Sequence, residues 1–299
     1  MKVALVNDER WISPVSPDAY VRRILAEDAE LERAFAERGA AASRAAWSDS
    51  EVDWAAFDAL LIRQTWDYFE RLPEFLGWLE RVEPIVRIVN PADVIRWNAD
   101  KRYLVELAGY GLSVVPTEVV VKGDDSLSLA ERMDAAGWDE AVIKPAVSGA
   151  GRETYRIART GAEARERLWR ARVAAEDMLI QPFEPAILKT GETSLMVIDG
   201  TATHAVRKIA AAGEFRVQDD HGGTVHAHEA SAEERKLAER AIARAPGRID
   251  YARVDLVDSD DGPRIMELEL IEPELFFRQR PEAADRLAGA VLRRASVAA

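Results

Sequence analysis

Two stretches of this chain place reactive side chains at spacings that could act together. In the first, Val142-Ile143-Lys144-Pro145 runs directly into Ala146-Val147-Ser148-Gly149-Ala150-Gly151. A lysine at a strand end is followed by a loop of small residues. Glycines let the backbone approach a ligand closely, and successive amides can point at phosphate oxygens, to which the lysine adds a point charge. Ser148, Gly149 and Gly151 are the loop's candidate contacts. The pattern is not the Walker one, in which glycine-lysine-serine/threonine opens a helix, and a strand end with a plain glycine hairpin would read the same way. Ser148 also lacks the glycine-x-serine-x-glycine elbow of a serine hydrolase.

The second stretch joins Tyr251-Ala252-Arg253-Val254-Asp255-Leu256-Val257 to Ile265-Met266-Glu267-Leu268-Glu269-Leu270 through a turn at Asp260-Asp261-Gly262-Pro263. Side chains alternate faces along a strand, so Glu267 and Glu269 share one face, and Leu268 and Leu270 the other. A hairpin closed about Asp261 sets Asp255 opposite Glu267. Two like charges ~4 Å apart repel by roughly 4 kcal/mol at an effective dielectric of ~20, so this face needs a cation, a shared proton or a basic partner. Hard oxygen donors suit magnesium, which takes one or two carboxylates and completes its shell with phosphate oxygens. A solvent-facing acidic strand is the alternative.

Another hairpin, over 193–198 and 203–209, turns at Asp199-Gly200, a strong two-residue turn signal. Counting outward from that turn puts Glu192 opposite Arg207 and sends Lys208 to the other face with His204 and Val206. Downstream, Phe215-Arg216-Val217-Gln218-Asp219-Asp220-His221-Gly222-Gly223 combines a fixed cation with a flexible glycine pair. Arg216 suits stabilisation of negative charge on a transferring phosphoryl group, or else is a surface-loop arginine. His226 and His228 share a strand face and histidine pairs bind zinc, but no third ligand accompanies them, and a solvated edge suits them better. Trp66, Tyr68 and Phe69 read as core aromatics.

These groups need elements to hold them. A strand over 3–6, a helix over 20–38, a strand over 59–62, a helix over 72–79 and a strand over 85–89 predict a parallel, Rossmann-like α/β layer. No glycine-rich dinucleotide fingerprint follows its first strand, which argues against a nicotinamide cofactor. From about residue 96 the pattern changes to α+β. A helix over 99–108 leads to a strand over 116–121, and a second helix ends near Gly137. Strands over 141–144 and 153–158, a helix over 163–173 and hairpins beyond 178 follow.

The 299 residues suffice for two or three lobes with a large core. With 48% hydrophobic and 31% charged residues the balance is globular, and a net charge of −13 disfavours nonspecific binding to nucleic acid or anionic membrane. The absence of cysteine excludes disulfides, thiolate nucleophiles and cysteine-ligated zinc, and fits a reducing cytoplasm. Met1-Lys2 leads into a short strand without a signal-peptide pattern, and no apolar run approaches the ~20 residues of a membrane span. A cytoplasmic protein is expected, with no nucleic-acid or membrane partner and with homo-oligomer formation left open.

Together the motifs resemble the ATP-grasp superfamily, in particular its glutathione-synthetase-like and ribosomal-modification-ligase-like members, over nearly the whole chain. The resemblance implies a Rossmann-like pre-grasp domain over 1–95 and two α+β lobes, 96–178 and 179–299, that enclose ATP, the second lobe carrying a metal site. It implies that Lys101, in Asn98-Ala99-Asp100-Lys101, and Lys144 hold nucleotide phosphates. Leu179-Ile180-Gln181-Pro182-Phe183-Glu184 would form the hinge that receives adenine, through Gln181, Phe183 and Glu184. Asp255, Glu267 and Glu269 would hold Mg2+, and Arg216 and Lys208 are the catalytic candidates. Glu269 departs from the asparagine usual in the family's metal motif, and Glu192 and Ser194 replace its usual aspartate and arginine. The closest similarity is to the cycloserine-forming branch, through Arg63-Gln64-Thr65-Trp66-Asp67-Tyr68, His204-Ala205-Val206-Arg207-Lys208 and Met266-Glu267-Leu268-Glu269-Leu270-Ile271-Glu272-Pro273-Glu274-Leu275. That branch implies an amino-acid substrate, O-ureido-D-serine, activated as an acyl phosphate and cyclised. An intermolecular carboxylate–amine ligase is the nearest alternative. A non-catalytic nucleotide-binding regulator is the alternative of another class, disfavoured by the intact carboxylate set.

Overall fold

The computed structural model describes residues 1–218 and 222–295; Asp219, Asp220 and His221 of the Arg216 loop lie outside the described residues. The N-terminal layer is a parallel sheet of β1 (Lys2–Asn7), β2 (Ala41–Ala46), β3 (Ala59–Ile62) and β4 (Arg87–Val89), in the order β2-β1-β3-β4, with α1 (Ala19–Ala36) and α2 (Leu72–Val82). β3 is an unbroken apolar run and wholly buried, as a strand covered on both faces must be. β2 adds a strand to the sequence reading. Its Ala-Ala-Ser-Arg-Ala-Ala segment has no β-branched or aromatic residue to signal a strand, and it forms at the sheet edge by pairing with β1.

Two helices, α3 (Ala92–Asn98) and α4 (Tyr103–Gly109), replace the single one expected over 99–108. The chain leaves the helical path between them because the Lys101 amide donates to Ala146 O at 2.9 Å and the Asp100 carboxylate caps the Arg102 amide at 2.9 Å. Asn98 is pinned to Leu268 O and the Leu270 amide at 2.9 and 2.8 Å. These bonds reach residues far away in sequence, which periodicity does not detect. They also carry Lys101 to the place where the sheets meet.

The second sheet is antiparallel, ordered β5-β8-β6-β7, from β5 (Glu118–Val120), β6 (Glu140–Pro145), β7 (Tyr155–Ala158) and β8 (Met178–Pro182), with α5 (Leu129–Ala136) and α6 (Ala162–Ala175). Trp169 of α6 and Met133 of α5 pack with Ile143 and Ile180 as its core. The third sheet, also antiparallel, is ordered β11-β10-β9-β12-β13, from β9 (Glu192–Ile198), β10 (Thr201–Ile209), β11 (Thr224–His228), β12 (Tyr251–Ser259) and β13 (Gly262–Glu269). α7 (Ala232–Ile242) packs Leu237, Ala241 and Ile242 against the Leu195 and Val254 side of that sheet. α8 (Glu282–Ala295) returns to α1, where Leu287 and Val291 join Leu31 and Phe35, and Asp285 meets Arg33 and Arg38 at 3.4 and 3.0 Å. Among the described residues no helix is long and apolar enough to cross a membrane.

The β9–β10 turn places Asp199 and Gly200 at φ 52° and 74°, the left-handed pair a tight hairpin needs. Its register corrects the expected pairing. Glu192 lies opposite Lys208, and Arg207 opposite Thr193, because an irregularity between Ala202 and His204 inserts one residue. A one-residue slip exchanges the faces, so Lys208 turns toward the interlobe side. Arg207 instead reaches Asp258 at 3.2 Å and His228 at 3.3 Å.

Candidate active site

One cavity lies between the second and third sheets and ends against the N-terminal layer. Lys101, Lys144, Ser148, Gly149, Gly151, Gln181, Phe183, Glu184, Lys208, Arg216, Glu267 and Glu269 all line it; Asp255 does not. At one end Val115, Val142, Phe183, Ile187, Val217 and Met266 make an apolar slot. The hinge leaving β8 is fixed there. Gln181 Nε2 donates to Thr117 Oγ1 at 2.8 Å, Glu184 binds Arg264 at 2.8 Å, and the Arg156 guanidinium lies 3.7 Å from the Phe183 ring centroid. A flat apolar slot bordered by strand backbone suits an aromatic base.

β6 delivers Lys144 to the middle of the cavity, and the α3–α4 break delivers Lys101 beside it. Lys101 Nζ stands 3.2 Å from Glu267 and donates to the Ser148 carbonyl. Among the described residues Lys144 has no ion pair or hydrogen bond of its own through its ammonium group. Burial, with Lys101's like charge adding to it and Glu267 partly opposing it, pulls Lys144 below the ordinary lysine range. The glycine loop beyond it is seated on the N-terminal layer. Val147 packs against the core cluster that contains Tyr68 and Phe69, and a Cβ at position 149 would stand 2.4 Å from a Phe69 ring carbon. Only glycine permits that approach. Tyr68 and Phe69 are therefore core residues, as expected, and also walls of the cavity.

The carboxylates meet as the hairpin predicts, with Asp255 opposite Glu267. They do not meet alone. Arg253, two residues before Asp255 and so on the same strand face, inserts its guanidinium between Asp255, at 2.9 and 3.1 Å, and Glu269. Ser194 donates to Asp255 at 2.5 Å, and Lys208, paired to Glu192, stands 3.6 Å from Asp255. Burial alone would raise Asp255, but Arg253 and Lys208 outweigh it and hold the carboxyl at about 2. For Glu269 burial outweighs Arg253, and the group rises to about 7. Among the described residues no three carboxylates or histidines already form a metal cage; a basic partner separates them. The donors nonetheless fit a hard divalent cation. They are all oxygens on paired strands, and two of them, Glu267 and Glu269, face the cavity.

Arg216 lines the cavity while held by Glu214 at 2.6 Å. His226 and His228 do not line it; they bond Thr224 at 3.0 Å and Glu234 at 3.2 Å on the sheet-edge strand β11. Several lining groups escaped the sequence reading as site residues: Arg253, Glu272, Gln64 and Trp66. Arg253 was legible from its i−2 spacing to Asp255. The others come from the segment after β3 and the segment after β13, brought together only by the tertiary fold. Trp66 Nε1 donates to Glu272 O at 3.0 Å, and the wholly buried Arg63 meets Glu27 and Asp28 at 3.5 Å each. Burial, then the nearby charge of Glu269, raises Glu272 to about 8.

This architecture, a cleft between two antiparallel sheets bordered by a parallel layer, agrees with comparison to known proteins. Residues 109–275 match the RimK-like ATP-grasp domain, and the chain belongs to the ATP-grasp ligases, enzymes that use ATP to form carbon–nitrogen bonds. Within that class, residues 3–90 match the N-terminal domain of D-cycloserine synthetase DcsG. The chain is 35% identical over 269 residues to the cycloserine biosynthesis protein DcsG of Streptomyces lavendulae, spanning 83% of this chain and 87% of that protein. It is 29% identical over 186 residues to a probable alpha-L-glutamate ligase of Parasynechococcus marenigrum, covering 61% of this chain and 38% of that one. The crystal structure of D-cycloserine synthetase DcsG superposes with a TM-score of 0.85 at 32% identity, across 99% of this chain and 100% of that one. A D-alanine–D-alanine ligase from Bacillus anthracis complexed with ATP gives 0.70 at 15% identity, across 100% and 98%, a likeness of fold alone.

Proposed function

We propose that this ligase closes a ring within one small amino acid, converting O-ureido-D-serine into D-cycloserine while ATP becomes ADP and phosphate. The observation that carries this reading is what walls the far end of the cavity. Gln64, Trp66 and Tyr68, which close it, lie in the layer matched to the D-cycloserine synthetase N-terminal domain. Units divided near residues 95 and 178, with α8 lent to the first, suit a cavity built from all three sheets.

The hinge slot receives adenine, Lys144 and Lys101 hold the phosphates, and the glycine loop covers them. Asp255, Glu267 and Glu269 would hold Mg2+, which supplies charge neutralisation across the phosphate oxygens. The substrate carboxylate attacks the γ-phosphorus, forming an oxygen–phosphorus bond as the bond to ADP breaks, with Arg216 offsetting the developing charge. Lys208 keeps Asp255 ionised from beneath. The ureido nitrogen bonded to oxygen then attacks the acyl carbon, phosphate leaves, and the nitrogen gives up its proton. Water removes the carbamoyl group as carbon dioxide and ammonia. Intramolecular attack of this kind can reach effective molarities of roughly 10⁵ M or more, and the seated loop shields the acyl phosphate from water.

Purified protein incubated with Mg-ATP and O-ureido-D-serine should release ADP, phosphate, ammonia and a product of cycloserine mass without added amine. ADP release that required a second amino acid, with no cyclic product, would establish an intermolecular ligase instead.

A further inference from the structure

The carboxylates of the cavity are nearly all neutralised from within. Glu27 pairs with Arg63 at 3.5 Å, Glu184 with Arg264 at 2.8 Å, and Glu267 with Lys101 at 3.2 Å. Glu192, Glu269 and Glu274 pair with Lys208, Arg253 and Arg278. Among the described residues Glu272 is the exception. It lines the cavity, is 8% exposed, and its carboxylate has no hydrogen bond or ion pair with another residue. A carboxylate removed from water and left unpaired is costly.

Its surroundings are nevertheless held in place. Ile271 O accepts from the Tyr251 hydroxyl at 2.7 Å, Glu272 O from the Trp66 indole at 3.0 Å, and Pro273 O from Arg63 at 3.4 Å. Successive carbonyls pinned in this way fix the backbone that carries the carboxylate before any ligand arrives, which lowers the entropy lost on binding. The neighbouring cations are committed elsewhere, Lys101 to Glu267 and Arg253 to Asp255 and Glu269. The missing partner is therefore a cation that enters with the substrate.

From this geometry we infer that Glu272 is the receptor for the α-ammonium group of the amino-acid substrate. The inference rests on the preceding reading that the cavity takes a small amino acid. An α-ammonium is one carbon away from the carboxylate that must meet the γ-phosphate beside Glu267 and Glu269. A receptor a few residues beyond Glu269 is where that group would need its partner. Held there, the ammonium orients the carboxylate for attack.

The test measures binding rather than turnover. Calorimetry on the full chain, with Mg2+ and a non-hydrolysable ATP analogue, would compare O-ureido-D-serine and D-serine with their desamino counterparts, 3-(ureidooxy)propanoate and 3-hydroxypropanoate. Wild type should prefer the amino forms by ~30-fold or more, the size of a buried charge-assisted pair. E272Q should lose most of that preference by weakening the amino forms alone, and E272D should keep part of it. Equal weakening of both classes by E272Q, a preference that survives E272Q, or a wild type that shows none would overturn the assignment. Intact discrimination here, with no cyclic product in the separate Mg-ATP incubation, would refute ring closure and leave the ammonium receptor standing.

Discussion

Gly149→Ala separates a loop that works by seating on the N-terminal layer from one that merely lies near it. Position 149 does not need a left-handed backbone, so a methyl group there is opposed by space alone. Its Cβ would stand 2.4, 2.7 and 3.3 Å from three carbons of the Phe69 ring. Non-bonded carbons settle at ~3.5–4.0 Å, so the loop or the ring must move by about 1 Å. The ring has little freedom, being 8% exposed and packed edge-on against Tyr68 at a centroid distance of 5.6 Å. The loop yields instead. Overpacking of this kind costs ~1–3 kcal/mol, roughly 5- to 150-fold in the closing equilibrium. The loss should appear as a raised KM for ATP and a lowered kcat in ADP-release assays, with the melting temperature nearly unchanged. Phe69→Leu removes the ring edge that the methyl would strike, so the double variant should recover part of the loss, a coupling of ~0.5–3 kcal/mol. Wild-type kinetics in Gly149→Ala, or no relief from Phe69→Leu, would refute seating as the loop's mode of action.

Lys144→Met should leave stability almost untouched, because no partner is stranded, while weakening ATP-analogue binding ~10-fold or more; unchanged affinity in a fluorescence titration would end the phosphate assignment. Asp255→Asn should abolish activity and also lower unfolding stability by ~3–5 kcal/mol, since Arg253 and Lys208 lose their shared carboxylate; a denaturant midpoint equal to wild type would show that the buried network contributes nothing. The same residue makes a pH prediction. Held at about 2 in the folded chain against 3.8 when free, Asp255 contributes on the order of 2 kcal/mol that is present above pH ~4 and lost as pH falls toward 2. Acid unfolding of Asp255→Asn should lack that component, and an acid limb identical to wild type would contradict it.

The parts of the site that are local in sequence were legible, and the parts made by long-range contacts were not. A two-residue strand period and a hairpin closed about Asp261 set Asp255 opposite Glu267, and that pairing holds, although the turn joins Ser259 to Gly262 and it is an irregularity between Asp255 and Leu256 that shifts the register by the residue needed. The same counting misplaced Glu192, since a bulge beside Ala202 leaves no signature in residue types. Lys101 was reached through family resemblance, while its helix was drawn too long: the break depends on a hydrogen bond to Ala146, far along the chain. β2 carries no strand signal of its own and exists because β1 offers it an edge. Glu272 could be quoted within a motif but not recognised, because being unpaired is a property of the folded cavity.

Charge pairing also sorts scaffold from function inside that cavity. A buried ion pair completed within the protein is already largely neutralised before a ligand arrives, and replacing such a pair by apolar groups can be nearly neutral for stability. Arg253 with Asp255 and Glu269, and Lys208 with Glu192, are of this kind, and they fix the strands around the face proposed to hold Mg2+. A lining charge without a partner stays costly until a ligand of opposite sign arrives, so its place marks the ligand's complement. On the proposed reading Lys144, beside the glycine loop, is the complement of phosphate, and Glu272, beyond Glu269, that of an ammonium. Between them lie Glu267 and Glu269, at the position where the carboxylate of a bound amino acid would face the terminal phosphate. On the proposed reading, an unpaired lysine on one side of that point and, on the other, an unpaired carboxyl that an arriving ammonium would ionise orient a zwitterionic substrate with its carboxylate toward the nucleotide and its ammonium toward the N-terminal layer.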